Sequence, residues 1–301
     1  MSDNGATRGQ PRVALITCAE LPELDPDDRL VLGPLAARGV HVDRVVWDAP
    51  DIDWSGYELA VLRSTWDYAP RREEFVTWAA TVPHLANPAE VVRWNTDKRY
   101  LGELADAGVP TVPTEWVPPG GSWQPATDGE YVIKPAISAG SLDTGRYDLA
   151  DPAQRELARR HVARLGAAGR FTMVQPYLTA VDTVGETALL FLAGPDGLRF
   201  SHAIRKGAVL TGPDQETTEL FRTEKIAART PGPVERETAE RVLAALPGGT
   251  DRLLYARVDL IPGSDGAPVL VELELTEPSL FLAYDAGAAG RLADAIVGRL
   301  S

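Results

Sequence analysis

Residues 255–281 read YARVDLIPGSDGAPVLVELELTEPSLF, the pattern of two β-strands folded back on each other. Residues 253–261 and 268–276 are β-rich runs, and the Gly/Pro/Asp-rich stretch 262–267 between them is a hairpin signal. Successive side chains of a strand take opposite faces, so Val269, Val271, Leu273 and Leu275 share one face and Glu272 and Glu274 the other, their Cα atoms roughly 7 Å apart. On the first strand Arg257 and Asp259 share a face, and a symmetric closure of the turn places Arg257 opposite Glu272. Three acids (Asp259, Glu272, Glu274) beside one arginine repel one another if left bare, and a buried carboxylate is costly unless paired or metal-bound. A hard divalent cation resolves that conflict. Magnesium is favoured, because it takes one or two protein carboxylates and fills its other positions with phosphate oxygens and water. Alternation alone also admits a plainer reading, in which Glu272 and Glu274 are the solvated face of an amphipathic strand.

The rest of the composition bounds the choice. A chain of 301 residues, 44% hydrophobic and 24% charged, has the make-up of a globular protein of two or three compact units. A formal charge of -13 argues against general binding to nucleic acid or an anionic membrane, both of which need a positive surface. No apolar run is long enough to span a bilayer, and the N-terminal MSDNGATRGQP lacks the charged-then-apolar order of a signal peptide. A cytoplasmic location is expected. The single cysteine, Cys18, excludes an internal disulfide and reads as a small core residue rather than a nucleophile, since no base accompanies it.

Taken in order, residues 1–11 form a polar tail without periodicity. Strands at 13–17 and 40–47 flank a helix at 27–38, a parallel α/β opening, and a third strand at 58–62 runs into RSTWDY before a helix at 71–81. Ligands of open α/β sheets collect beyond the carboxyl ends of strands, which makes Arg63, Ser64, Trp66 and Asp67 candidates for gripping a small substrate. A helix is expected over 96–108 with Lys98 in its first turn, where the helix dipole disfavours a cation unless an anion is bound. The strand 131–134 ends in Lys134 and is followed by the Ser/Gly loop KPAISAGS, a way to hold phosphates with backbone N–H groups and one fixed positive charge. A helix at 152–165 and a strand at 171–177 follow. From Val184 the pattern becomes antiparallel: GETALLFLAG and LRFSHAIRKGAV form a hairpin, with Glu186 at one end and His202, Arg205 and Lys206 toward the other. These basic groups suit a phosphoryl or carboxylate group; a structural histidine is the alternative for His202. Residues 207–223 read as a polar loop over a site, 233–246 as a helix, and 283–300 as a C-terminal helix.

In this order Lys98, Lys134 in IKP, the SAGS loop, QPY at 175–177, Arg205, Asp259 and Glu272-x-Glu274 resemble the ATP-grasp ligases, most closely the glutathione-synthetase-like branch. TCAE, RSTWDY, GET, FSHAIRK and ELELTEPSLF look like the D-cycloserine synthetase group. The resemblance implies an α/β and α+β chain: an N-terminal parallel α/β (pre-ATP-grasp) domain at 12–90 for substrate, an ATP-grasp lid subdomain at 91–174, and a C-terminal subdomain at 175–301 carrying the metal site. It also implies residue roles. Lys98 and Lys134 contact phosphates and the adenine side, Ser138, Gly140 and Ser141 cover the phosphates, and Gln175, Pro176, Tyr177 and Leu178 meet adenine. Asp182 or Glu186 holds ribose, Asp259, Glu272 and Glu274 bind magnesium, and Arg205 and Arg257 steady the transferred phosphoryl. The superfamily usually carries asparagine where this chain has Glu274. Homodimers are common among its members.

The activity so implied is ATP-dependent carboxylate–amine ligation of a small amino-acid-like substrate, within one molecule or between two. ATP converts the carboxylate to an acylphosphate, and an amine displaces phosphate. A small-molecule kinase using the same nucleotide site is the alternative, and a nucleotide-binding module without turnover is a third reading.

Overall fold

A parallel strand covered on both faces has to be apolar along its length, and the first and third runs of the chain are. The computed structural model describes residues 9–214 and 225–300. Residues 1–8 of the expected tail and 215–223 of the expected polar loop, with residues 224 and 301, lie outside the described residues. The N-terminal unit comprises β1 (Arg12–Thr17), α1 (Leu32–Ala37), β2 (His41–Val46), β3 (Leu59–Ser64), α2 (Arg72–Ala79), β4 (Leu85–Ala86) and α3 (Ala89–Asn95). Its sheet is wholly parallel, in the order β2-β1-β3-β4. Every residue of β3 is buried, as is β1 beyond Arg12. The helix expected at 27–38 is shorter: Asp28–Val31 is a 3-10 turn, and Pro34 then falls in the first turn of α1, where its missing N–H costs nothing.

The helix expected over 96–108 begins only at Tyr100. The chain makes α3, turns through 96–99, and resumes as α4 (Tyr100–Asp106). In the turn, the Lys98 N–H donates to Ala136 O at 2.8 Å and the Asp97 carboxylate accepts the Arg99 N–H at 3.1 Å, so these donors are engaged outside any helix. A four-stranded antiparallel sheet follows, built from β5 (Glu115–Val117), β6 (Glu130–Pro135), β7 (Gly145–Asp148), α5 (Pro152–Ala167) and β8 (Thr172–Pro176), in the order β5-β8-β6-β7. Its core is small: Ile133, Tyr147, Leu149, Val162, Leu165 and Val174 under α5. α4 itself packs on the larger sheet through Leu101 and Leu104.

The third unit is α6 (Ala180–Thr183), β9 (Glu186–Gly194), β10 (Gly197–Lys206), β11 (Ile226–Arg229), α7 (Pro233–Ala244), β12 (Tyr255–Pro262), β13 (Pro268–Glu274) and α8 (Ala288–Val297). Its five strands run in the order β11-β10-β9-β12-β13. α8 packs Leu292 and Ile296 into one core with Val13 and Leu15 of β1 and with Leu190, Ile204 and Tyr255 of the large sheet, which ties the C-terminus back to the N-terminal unit. Among the described residues, no helix is long and apolar enough to cross a membrane.

The register of the decisive hairpin differs from a symmetric closure. Arg257 faces Glu274 and Asp259 faces Glu272, and a bulge between Asp259 and Leu260 returns Leu260 to Leu270. The extra residue, Val271, is set against a cavity. Such bulges re-aim side chains next to sites, and this one gathers the three acids with Arg257 in their midst.

Candidate active site

A cavity of about 780 Å³ lies between the lid sheet and the five-stranded sheet, within the range of small-ligand sites. Its floor is the β12–β13 hairpin. One carboxylate oxygen from each of Asp259, Glu272 and Glu274 lies within 4.8 Å of the others. Asp259 is fully buried and saturated with cations: Arg257 Nε donates to Oδ1 at 2.9 Å, Arg257 Nη2 to Oδ2 at 2.8 Å, and Lys206 Nζ to Oδ2 at 2.8 Å. Glu274 pairs with Arg257, Glu186 with Lys206, and Glu272 with Lys98 at 3.1 Å.

These contacts set the charge states. Burial works against ionisation of Asp259, but Arg257 and Lys206 outweigh it and hold the carboxyl below its usual range. Glu272 is also lowered; burial opposes, and Lys98 and Lys134 prevail. Glu274 goes the other way: burial, joined by the charges of Glu272 and Asp259, pushes it up to about 7 against the pull of Arg257. Lys134 is lowered by burial and by the nearby Lys98 and Lys206; among the described residues its ammonium makes no hydrogen bond or ion pair. A floor holding three acids, one of them hard to ionise, is chemically suited to a hard cation, and an unpaired lysine above it is suited to a polyanion.

One side of the hairpin pairs with β9; on its outer edge Leu270 exchanges backbone bonds with Pro110 and Val112, and side chains hold the rest. Asn95 Nδ2 donates to Leu273 O at 2.8 Å and its Oδ1 accepts from Leu275 N at 2.7 Å, while the Tyr100 hydroxyl lies 2.8 Å from Leu273 O. Asn87 donates to Tyr255 O and Leu275 O. These residues carry the strand pairing beyond β13.

The roof comes from the lid sheet and from the chain that leaves it through α6. Val132, Lys134, Gln175, Pro176, Tyr177, Leu178 and Val181 line it, and the loop residues Ser138, Gly140 and Ser141 line the same cavity. Lys98 Nζ donates to Ser138 O at 2.7 Å, which links floor and loop. Residues 207–210 of the polar loop also face the cavity, and the chain then docks on β7, where Gly212 O accepts from Arg146 N at 2.8 Å. Gly145 makes this approach feasible: a Cβ there would stand 2.5 Å from the backbone N of Asp214.

Several candidates read from the sequence sit elsewhere. Arg205 lies off the cavity wall, with its guanidinium on Thr183 O, because alternation along β10 gives the cavity face to its neighbour Lys206. Arg63 and Ser64 are buried against Asp28, at 2.8 and 2.7 Å. Asp67 accepts from Trp47 Nε1 at 2.9 Å. His202 is buried between Ser201 Oγ and Leu280 O, the structural alternative. Asp182 is exposed, bound to Tyr177 and Arg146, while Glu186 reaches the cavity. Trp66 lines it, and its indole N–H donates to Glu277 O at 3.1 Å. Sequence reasoning passed over Glu277, which lines the cavity; burial and the charge of Glu274 push its carboxyl up to about 8. Its position in TEPS, one residue past the alternating run, carried no periodic signal. Cys18 is fully buried, and its thiol is pushed up to about 11, chiefly by burial, as suits a core residue.

This architecture, a parallel N-terminal sheet followed by a lid and a five-stranded sheet enclosing an acid-floored cavity, is that of the ATP-grasp ligases. D-alanyl-alanine synthetase A from Vibrio cholerae shares the fold at a TM-score of 0.67 and 14% identity, over 97% of this chain and 98% of that one. Residues 13–87 match the family model of the N-terminal domain of D-cycloserine synthetase DcsG. The cycloserine biosynthesis protein DcsG of Streptomyces lavendulae is 39% identical over 96% of this chain and 98% of its own length. A crystal structure of D-cycloserine synthetase DcsG superposes with a TM-score of 0.82 at 36% identity, over 96% of this chain and 100% of that one. The chain belongs to the D-cycloserine synthetase family, and it is an ATP-dependent carbon–nitrogen ligase. The kinase and non-catalytic readings fall away with that membership.

Proposed function

We propose that the enzyme closes a five-membered ring, joining the carboxylate of a small amino acid to a nitrogen at the end of its own side chain. The supporting relatives are those named for D-cycloserine. Hydrolysing the ring amide of that product gives O-amino-D-serine, which has both reacting groups in one molecule. The observation that carries the catalytic part is the meeting of Asp259, Glu272 and Glu274 within 4.8 Å on the floor of a cavity also lined by Lys98, Lys134 and Lys206.

In this reading, ATP lies with its base against residues 175–178 and its phosphates toward Lys98, Lys134 and the loop 138–141. Asp259, Glu272 and Glu274 hold magnesium, which supplies charge neutralisation for the phosphoryl oxygens. A substrate carboxylate oxygen attacks the γ-phosphorus, the bond to the β-phosphate oxygen breaks, and ADP departs. The terminal nitrogen then attacks the acylphosphate carbonyl, phosphate leaves with the C–O bonding electrons, and the nitrogen gives up a proton. Lys206 and Arg257 face the region where negative charge develops in both steps. The lid and residues 207–210 exclude water, which would otherwise hydrolyse the acylphosphate.

The test is ADP release with ATP, magnesium and O-amino-D-serine, with product mass measured. Ring closure gives one ADP per product and a product lighter than the substrate by one water. ADP release only when a separate amine is added would place the ligation between two molecules instead.

A further inference from the structure

Beyond β13, residues 276–280 form no regular element, yet five successive backbone carbonyls each meet a side-chain donor from elsewhere in the chain. Tyr255 Oη donates to Thr276 O at 2.9 Å, Trp66 Nε1 to Glu277 O at 3.1 Å, and Arg63 Nη2 to Pro278 O at 2.6 Å. Arg257 Nη1 donates to Ser279 O at 3.2 Å, and His202 Nε2 to Leu280 O at 2.9 Å. Asp27 then takes the N–H groups of Leu282 and Ala283 at 2.7 and 2.8 Å. An irregular segment fixed at every carbonyl holds its side chains as firmly as a strand would, the condition for a selective binding group. Arg63, Trp66 and His202, which the sequence suggested as substrate contacts, are therefore positioning residues.

What the segment presents to the cavity is Glu277, beside the buried Tyr68 and the Trp66 ring. Of the cavity carboxylates described above, Asp259, Glu272, Glu274 and Glu186 each have a lysine or arginine partner. Among the described residues, Glu277 has none; Asp25 and Asp27, which also line the cavity without an ion pair, are engaged by backbone N–H groups, Asp25 by that of Asp27 and Asp27 by those of Leu282 and Ala283. Glu277 stands three residues beyond Glu274, whose charge it feels, and both line the cavity, so in the proposed reaction a group bound to it would lie near the carboxylate being activated. In an α-amino acid, the group next to the carboxylate is the ammonium. Taking the proposed ring closure as given, we propose that Glu277, with the Tyr68 hydroxyl at its side, binds the substrate's α-ammonium and thereby turns the terminal nitrogen toward the acylphosphate. The enzyme is then selective for α-amino acids over deamino analogues.

The experiment measures affinity of the full-length protein, loaded with magnesium and a non-hydrolysable ATP analogue, for O-amino-D-serine and for 3-(aminooxy)propanoate, which lacks the amino group. ADP release with O-amino-D-serine is followed in parallel with ATP. The wild type should prefer the amino compound by roughly 10- to 100-fold, the range of a charge-assisted hydrogen bond in a desolvated site. In Glu277→Gln the preference should collapse to a few-fold with KM for ATP unchanged, Tyr68→Phe should fall between, and Asp25→Asn, at another cavity carboxylate, should keep it. Glutamine mimics the neutral acid in size, and melting temperatures report whether each variant folds. A full preference surviving in folded Glu277→Gln, or lost instead in Asp25→Asn, overturns the subsite. Loss of preference in Glu277→Gln while the wild type releases no ADP keeps the subsite and overturns ring closure. ADP release with the preference unchanged does the reverse. A wild type that binds neither compound overturns both.

Discussion

On the floor of the cavity, Asp259, Glu272 and Glu274 each meet a cation of the hairpin or its neighbours, whereas the roof sets Val132, Pro176, Leu178 and Val181 against the same space. The floor is rigid by ionic contacts and by Asn87, Asn95 and Tyr100, which bind its backbone. The roof rests on a core of its own under α5. In the proposed mechanism the difference separates two tasks: the charged floor would stabilise charge that develops during reaction, and the more apolar roof, on a separate core, would grip the flat base of ATP. Changing the floor should reduce kcat, and changing the roof should raise KM for ATP.

The largest effect should come from breaking the floor. Replacing both Glu272 and Glu274 with Gln should lower ATP turnover by about 10³-fold or more with melting largely preserved, since Glu274 is pushed up to about 7 and is costly to ionise where it stands. Wild-type turnover in that double variant would remove the metal assignment. Next comes the pair of neighbours on β10. Lys206→Met should cost about 10²-fold in kcat, as loss of a fixed charge near the transferred phosphoryl does, and Arg205→Met less than about 3-fold, as at surface sites. Equal losses at the two positions would mean that the strand's faces have been misassigned.

That pair shows where the sequence was legible and where it was not. Strand alternation grouped Glu272 with Glu274 and Arg257 with Asp259, and the order of strands and helices carried the fold class. Period-2 reasoning also separates Arg205 from Lys206, but the sequence does not say which face meets the cavity; the pairing of β10 with β9 and β11 decides that. Arg63 and His202 looked like ligands because basic groups at strand ends often are, yet their partners are 215 and 78 residues away in sequence, at Pro278 O and Leu280 O. The β-bulge after Asp259 left no local mark either, since it serves the cavity rather than the strand. α3 escaped notice because the 96–99 turn broke its periodicity from that of α4.

The roof should yield a smaller change. Tyr177→Ala removes an aromatic wall that is braced by Asp182 at 2.5 Å and by the Arg146 guanidinium 3.6 Å above its ring. KM for ATP should rise about 10-fold, the value of about 1.4 kcal/mol of lost contact, with kcat within about 2-fold. A fall in kcat with KM unchanged would mean that the roof takes part in the chemistry and the division between the walls does not hold.

The last effect is read in stability against pH, where lid and floor should have opposite signs. His161, under the lid, is held by the Tyr147 hydroxyl at 2.8 Å, and burial with the nearby Arg164 pushes it down to about 4. Between about pH 4 and the unfolded value near 6.5, the unfolded chain binds a proton that the folded chain refuses. Its contribution is intact above about 6.5 and is lost as pH falls toward 4. Glu277, pushed up to about 8, does the reverse: the folded chain keeps a proton that the unfolded chain releases, so stability falls as pH rises from about 4.5 to 8. In the wild type the two slopes oppose each other between about pH 4.5 and 6.5. Urea midpoints of His161→Gln should therefore decline with rising pH relative to wild type over that window, and those of Glu277→Gln should climb relative to wild type up to about pH 8. Parallel curves for all three proteins would show that neither group changes its proton affinity on folding; a climb confined to Glu277→Gln would leave the floor's burden in place and remove the lid's.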